Sequence, residues 1–322
     1  MAVVNVAIIG LGKMGEALAF RAVRAGFMVF GFDVSADSCA TAAKSGVRIV
    51  SSVADFAHKD IHIFWLMVPQ GELVDKVIMQ LRPILRAEDI IIDGGNSKFS
   101  DSMRRAQELA LENIYFIDCG TSGGVHGREN GFCLMVGGSK KAYESIEPLL
   151  QAVAVSGGCA YVGPSGAGHY VKMVHNGIEY GLLQAYAEGF HLLKDGEFKD
   201  EHLDLAAIAD LWDHGSVIRS WILELVLNIM KEDQDLTNIK GNVAATGMGK
   251  WTVEQAHESN IPVPVIEQAL KVREWSENTG GNYATKIVAM LRNQFGGHSV
   301  TRLHESFGGQ AKKIEKENDE SD

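Results

Sequence analysis

Five polar side chains of different chemistry share one short stretch of the chain: Lys172, His175, Asn176, Glu179 and Tyr180. Counted from Lys172 they fall at i+3, i+4, i+7 and i+8, the spacing that gathers side chains on one face of an α-helix. The remaining positions are mostly apolar, with Val171, Val174, Ile178, Leu182 and Leu183 among them. A helix that is apolar on its other faces is normally buried or half-buried, and polar groups carried into such surroundings need partners. A solvated helix face would repeat Glu/Lys pairs. This stripe holds one amine, one imidazole, one amide, one carboxyl and one phenol, which suits proton transfer. A lysine carried into such surroundings is costly unless its charge is matched or its pKa falls.

Something must hold such a helix against a ligand, and the first half of the chain supplies a candidate. A β-rich run, Val3–Ile9, leads into Gly10-Leu11-Gly12-Lys13-Met14-Gly15 and then a helical pattern from Glu16 to Ala25. A second β run ends at Asp33, eighteen positions after Gly15. Strand, G-x-G-x-x-G, helix and a late acid form the dinucleotide fingerprint: Gly10 for the tight turn, Gly12 for close approach of a pyrophosphate and Gly15 for helix–strand packing. The helix N-terminus then faces the phosphates. Asp33 is either a strand-end turn residue or the acceptor for an adenosine ribose; in the second role its charge repels a 2′-phosphate and favours NAD over NADP.

The alternation continues through Ile61–Val68, Glu72–Leu81, Asp89–Asp93, Ser100–Leu111 and Ile114–Asp118, and it closes with Cys133–Val136, a helix Lys141–Val153 and a strand Ala160–Val162. This is the pattern of an α/β, Rossmann-like, doubly wound parallel sheet, whose ligands sit beyond the carboxyl ends of the strands. Val68-Pro69, Asn96 and the loop Gly120–Gly124 fall at that edge. Asn96 and Ser122-Gly123-Gly124 are turn formers or, with backbone N–H groups freed by paired glycines, a carboxylate site. After Pro164 strands give way to helices. We expect a dinucleotide-binding domain over 1–164, an all-helical C-terminal domain for substrate and oligomerisation over 165–308, and a charged tail over 309–322 that has too few apolar residues to pack. In the helical part Arg273 falls within a helical pattern. Arg292 and His298 frame a Gly-Gly turn, which fits an anion clamp better than a free surface. Thr246-Gly-Met-Gly-Lys250-Trp251 reads as a glycine-loosened loop ending in a cation and an aromatic.

The 322 residues carry a net charge of −11, which disfavours nucleic acid and anionic membranes as partners and requires any anionic substrate to meet a local cation cluster. Cys39, Cys119, Cys133 and Cys159 show no C-x-x-C pairing or zinc spacing, so reduced thiols and no structural metal are expected. No signal-peptide pattern or long apolar run is visible, and a cytoplasmic location is expected.

Gly10–Gly15, Ile92-Asp-Gly-Gly-Asn96-Ser97, Ser122-Gly-Gly124, Gly168–Tyr180 and Arg292-x-x-Phe-Gly-x-His298 together resemble the decarboxylating 6-phosphogluconate dehydrogenases, in the shorter form with an abbreviated helical domain. The resemblance covers all but the tail, and the Lys172–Tyr180 segment is its most specific part. It implies Lys172 as general base and Glu179 as general acid. It implies that Asn96, Ser122, Gly123, Gly124, His175 and Asn176 hold the sugar acid, and that Tyr180, Arg273, Arg292 and His298 hold its phosphate. In the family the last two come from a neighbouring subunit, which implies a homodimer or homotetramer. Where longer members carry Lys-Gly-Thr-Gly-Lys-Trp, this chain has Thr246 and Met248 in place of the first Lys and the Thr, leaving Lys250 as the cation of that segment. Where many members carry Asn-Arg-Thr after the second strand, suited to NADP, this chain has Asp33-Val34-Ser35, which fits NAD. Two other readings stand beside this one: a β-hydroxyacid dehydrogenase for a small unphosphorylated acid, and a non-catalytic NAD-binding sensor.

Overall fold

The structure, a computed structural model, describes residues 4–245 and 247–303. Thr246 and the tail over 309–322 lie outside the described residues.

Alternate residues of the first strand face opposite ways, and the core follows from that. Along β1 (Asn5–Ile9), Val6 and Ile8 enter one apolar cluster while Ala7 and Ile9 enter another on the far side of the sheet. A strand buried on both faces is the mark of a parallel sheet covered by helices. The chain continues through α1 (Lys13–Arg24), β2 (Met28–Phe32), α2 (Ala36–Lys44), β3 (Arg48–Ile49), β4 (Ile63–Leu66), α3 (Glu72–Leu81), β5 (Ile90–Asp93), α4 (Phe99–Ala110), β6 (Tyr115–Ser122), α5 (Gly127–Asn130), β7 (Phe132–Gly138), α6 (Lys140–Val153) and β8 (Ala154–Gly163). The eight strands lie in the order β3-β2-β1-β4-β5-β6-β7-β8. Leu18, Ile146 and Leu150 cover one face, and Val74, Ile78 and Leu109 the other.

Two sequence expectations change here. The sheet is not wholly parallel, because β7 runs antiparallel to β6, with Cys119 opposite Val136 and Ser122 opposite Cys133. Only a short connection with the four-residue α5 joins the two strands, and a parallel return needs a crossover of a dozen or more residues. Gly120 to Ser122, expected in a loop, are instead the end of β6.

Beyond the sheet come α7 (Ala167–Asp195), α8 (Leu205–Asp213), α9 (Trp221–Glu232), α10 (Met248–Glu258), α11 (Pro264–Thr279) and α12 (Tyr283–Gly296). Their shared core packs Leu183, Ala187 and Phe190 of α7 against Leu223 and Val226 of α9 and Ile287, Val288 and Leu291 of α12. At 29 residues, α7 is the longest helix, about 43 Å at 1.5 Å per residue, and it joins the sheet to the helical part. No helix among the described residues is long and apolar enough to cross a membrane.

The N-terminus of α7 has no side-chain cap of its own; Gly166 stands there in the left-handed region with φ 92°. Asp118 of β6 caps it from outside. Its Oδ1 accepts from the Gly166 N–H at 2.7 Å and its Oδ2 from the His169 N–H at 2.9 Å, in a fully buried setting. A carboxylate at a helix N-terminus meets both the free N–H groups and the positive end of the dipole. Gly168 allows the approach, since a Cβ there would lie 2.2 Å from the Asp118 carbonyl oxygen. Asp118→Ala strands two buried donors, each costing about 1–3 kcal/mol. Urea unfolding is expected to show about 2–4 kcal/mol of lost stability, with activity falling as α7 shifts.

Candidate active site

One large crevice, with a volume of about 1900 Å³, runs from the fingerprint turn to α7. It lies beyond the carboxyl ends of β1 and β4, where β1 separates β2 from β4. That is the topological switch point of an open α/β sheet.

The cofactor end is built as a dinucleotide requires. Gly10, with φ 94°, is packed so that a Cβ would lie 2.4 Å from the Met67 carbonyl oxygen, and a Cβ on Gly15 would lie 1.9 Å from the Gly10 carbonyl oxygen. Gly12 has nothing within 4 Å of its Cβ position, so the open side of the turn faces the crevice. Gly10, Gly12, Lys13, Met14, Gly15, Asp33, Val68, Pro69 and Asn96 all line it. Leu11 does not: its side chain is buried in the core, and only its N–H serves the site. The Asp33 carboxylate accepts from the Leu11 N–H at 2.6 Å and from the Ser35 N–H at 2.7 Å. A carboxylate has about four acceptor sites, so the residues present fit a ribose diol while the backbone fixes the carboxylate.

Asn96 reaches the crevice from a loop shaped by buried Asp93, which accepts from Ser97 Oγ at 2.7 Å and from the Gly95 N–H at 3.1 Å. Buried Arg105 stands behind it, 3.6 Å from Asp93, and binds the Gly71 carbonyl oxygen at 2.9 Å and Asp75 in the neighbouring loop–helix unit. These two residues, along with Asp118, are the supports that sequence reasoning missed. The partners of Arg105 and Asp118 are remote in sequence, whereas Asp93 bonds within its own loop, where a single carboxylate at a strand end carries no signal of its own.

From α7, Lys172, His175, Asn176 and Glu179 line the crevice opposite Ser122, Gly123 and Gly124. Lys172 is 6 % exposed. Its stem rests on β6, where a Cβ on Gly120 would lie 2.4 Å from Lys172 Cβ. Burial pushes its pKa below the ordinary 10.5, outweighing the opposing pull of the Glu179 carboxylate. Burial likewise raises Glu179 above the ordinary 4.5, against the influence of Lys172, Arg273 and Arg292. His175 drops to about 4, through burial first and then the nearby Lys172. Its Nδ1 lies 3.9 Å from Glu179, but an imidazole held neutral forms no ion pair there. Nε2 meets Ser122 Oγ at 3.4 Å. The buried His175 Nδ1 and Asn176 Oδ1 find no hydrogen-bond partner among the described residues. Polar atoms in that state suit a polar ligand.

The cationic end lies behind Glu179. Arg273 is buried, its guanidinium carbon 3.3 Å from the centroid of the Tyr180 ring. Arg292 is close enough to influence Glu179, Arg273 and His298, and His298 lines the crevice. Arg292 and His298, which the resemblance assigns to a neighbouring subunit, lie beside this site in their own chain as well, since α12 ends against the Gly124 loop, where a Cβ on Gly124 would lie 1.8 Å from the Phe295 carbonyl oxygen. One expectation is corrected here. Lys250 is not on a loop but in the first turn of α10, exposed and away from the crevice lining. Gly249 beside it packs on Tyr180, 2.3 Å from a Cβ position to the ring. Nor are the other faces of α7 wholly buried: Val171 is 37 %, Ile178 53 % and Leu182 46 % exposed, and all three line the crevice. α9 adds Trp221 and Ile222 to the lining, which no sequence motif indicated.

Comparison with known proteins matches this architecture at every level. Residues 5–163 match the family model for the NAD binding domain of 6-phosphogluconate dehydrogenase, and residues 168–307 match the model for its C-terminal domain. The chain is 44% identical to the NAD(+)-dependent, decarboxylating 6-phosphogluconate dehydrogenase of Haloferax volcanii, covering 92% of this chain and 98% of that one. It is 38% identical to the decarboxylating 6-phosphogluconate dehydrogenase of Rattus norvegicus, of which it spans 60% while 85% of this chain is covered. Among solved structures, the 6-phosphogluconate dehydrogenase of Plasmodium falciparum superposes with a TM-score of 0.77 at 30% identity, over 85% of this chain and 62% of that one. The 3-hydroxyisobutyrate dehydrogenase of Salmonella typhimurium, at 22% identity and a TM-score of 0.73 over 88% of this chain and 99% of that one, shares the fold. With its nicotinamide-nucleotide domain joined to helices that bring an amine and a carboxyl to one crevice, the chain belongs to the 6-phosphogluconate dehydrogenase family.

Proposed function

We propose that the chain catalyses oxidative decarboxylation of 6-phosphogluconate to ribulose 5-phosphate and CO2, with NAD as the preferred acceptor. Residues 1–164 hold the dinucleotide and 165–308 the phosphorylated sugar acid. The observation that carries the reading is the buried Lys172–Glu179 pair, flanked by the fingerprint crevice on one side and by Arg273, Arg292 and His298 on the other.

The bound nicotinamide supplies the hydride acceptor at its C4. Neutral Lys172 takes the proton of the C3 hydroxyl as hydride leaves that carbon. The resulting 3-keto acid loses CO2 because the ketone takes up the electron pair, and Lys172, now an ammonium, stabilises the developing enolate oxygen. Glu179, protonated in its buried setting, delivers a proton to the carbon that has lost CO2, which is C2 of the substrate and C1 of ribulose 5-phosphate. Asn96, Ser122, Gly123, Gly124, neutral His175 and Asn176 orient the acid and its hydroxyls, while Tyr180, Arg273, Arg292 and His298 receive the phosphate.

The test is nicotinamide reduction with 6-phosphogluconate, gluconate and 3-hydroxyisobutyrate as parallel substrates. Turnover of the phosphorylated acid with release of CO2 is expected; preference for either unphosphorylated acid would overturn the reading. For the acceptor, kcat/KM with NAD is expected to exceed that with NADP by about 10-fold or more, since Asp33 repels a 2′-phosphate across a distance at which screening is incomplete. Asp33→Asn keeps an acceptor for the Leu11 N–H while removing the charge. It is expected to narrow the ratio by about 10-fold; an unchanged ratio in steady-state assays would separate Asp33 from selectivity.

A further inference from the structure

Lys13 occupies a fingerprint position, yet the hydrogen-bond acceptor of its ammonium lies at the far end of the chain. From the first residue of α1 it crosses to the end of α12, where Nζ donates to the Gly297 carbonyl oxygen at 3.4 Å, 284 positions along the chain. Gly297 is the left-handed C-cap of α12, with φ 63°, and the next residue is His298. A Cβ on Gly297 would lie 2.9 Å from Lys13 Nζ, so the glycine leaves room for the ammonium against the turn. Lys13 and His298 both line the crevice. Burial holds His298 below its ordinary pKa, with Arg292, Arg273 and then Lys13 adding to the effect. Four basic groups therefore share one local field in a chain of net charge −11. Mutual repulsion at such a cluster is relieved by an anion.

Building on the function proposed above, we infer that Lys13 belongs to the phosphate clamp: it determines specificity for the phosphorylated end of the substrate, adding its ammonium to the anion site and docking the Gly296–Gly297 turn that carries His298. The clamp then draws on both halves of the molecule, and the substrate phosphate closes the crevice at the point where α1 meets α12. An ammonium–phosphate contact is a charge-assisted hydrogen bond, made stronger here by its neighbours and weakened by salt because Lys13 is exposed.

Calorimetric titration of the full chain without cofactor separates this role from one at the dinucleotide. Wild type, Lys13→Met and Lys13→Arg are titrated with 6-phosphogluconate and with gluconate, and NAD affinity is measured separately. Lys13→Met is expected to weaken 6-phosphogluconate binding about 10-fold, or about 1.4 kcal/mol, with gluconate unaffected and Lys13→Arg within about 3-fold of wild type. Unchanged 6-phosphogluconate affinity with loss of NAD binding alone would return Lys13 to the cofactor site. Equal losses for both sugar acids would also overturn the inference, since they mark a distorted crevice. Failure of the function itself shows up differently, as absence of 6-phosphogluconate turnover in wild type.

Discussion

Lys172→Met is expected to lower kcat on 6-phosphogluconate by about 10³–10⁴-fold while leaving NAD affinity within about 2-fold. A positioned general base contributes about 10²–10⁴-fold, and in the proposed mechanism the same ammonium acts again on the enolate oxygen, where removal of one stabilising donor costs about 10²–10³-fold. The two losses are not additive, because the first step feeds the second. Met preserves the unbranched stem that rests on Gly120, so the crevice keeps its shape. The variant should also be more stable. The folded pKa of Lys172 lies below its unfolded value near 10.5, so the unfolded state binds more protons between those two values and stability rises with pH through that window. Below it the full cost of a buried ammonium is present, and Met abolishes that cost at neutral pH. For activity the sign runs the same way on the acid side: kcat/KM should fall as pH drops through the folded pKa of Lys172 and the base is lost. Glu179, raised above 4.5, stays protonated to higher pH than an exposed carboxyl, and loss of that proton should give the alkaline limb. Stopped-flow NADH formation with thermal unfolding of the same variant checks both halves. Retained turnover would remove Lys172 from the chemistry.

The parts of this site that were legible in the sequence are those whose logic is local. The Gly10–Gly15 turn lies between a strand and a helix that can be read from their own residues, and the stripe from Lys172 to Tyr180 needs only the 3.6-residue period. Neighbouring strands follow from alternation. What escaped depends on long-range packing. Asp118 caps a helix whose N-cap residue lies 48 positions later, so nothing near it marks it as more than a strand residue. The loop expected over 246–251 overlaps the first turn of α10 because Gly247 and Gly249 are poor helix formers, whereas the helix begins at Met248; Gly249 is there because the Tyr180 ring leaves no room for a Cβ. Lys250 was drawn into the site by its neighbours in sequence, and the helix turns it outward. The exposure of Ile178 and Leu182 follows from the same cause: apolar residues at helical spacing serve a core or a ligand-lined crevice equally well, and the sequence pattern does not separate the two.

Arg273→Met is expected to raise KM for 6-phosphogluconate by about 10²-fold or more, with kcat reduced far less, and to raise the melting temperature at the same time. Arg273 is 2 % exposed, and both terminal guanidinium nitrogens are without a hydrogen-bond partner among the described residues. Its face lies on the Tyr180 ring, an attraction worth about 2 kcal/mol when desolvated. That does not replace hydrogen bonds to five donors. The strain shows in its pKa, which burial lowers to about 10, with the Tyr180 hydroxyl, Arg292 and Glu179 adding smaller and partly opposing effects. A buried charge kept in this condition is costly to the fold, and Met, of similar length and apolar, removes the cost. The phosphate of the proposed substrate resolves the same imbalance by accepting from the guanidinium in the fork geometry that arginine offers to phosphate. Hydrogen bonds to charged groups are worth about 1.5–3 kcal/mol each, so losing two amounts to about 3–6 kcal/mol, and even half of that is about 10²-fold in affinity. The substitution therefore opposes stability to binding, and the pair of measurements is more telling than either alone. A destabilised variant with unchanged KM would mean that Arg273 is a structural residue satisfied by the fold, whereas a stabilised variant that no longer distinguishes 6-phosphogluconate from gluconate would identify it as the buried half of the phosphate clamp.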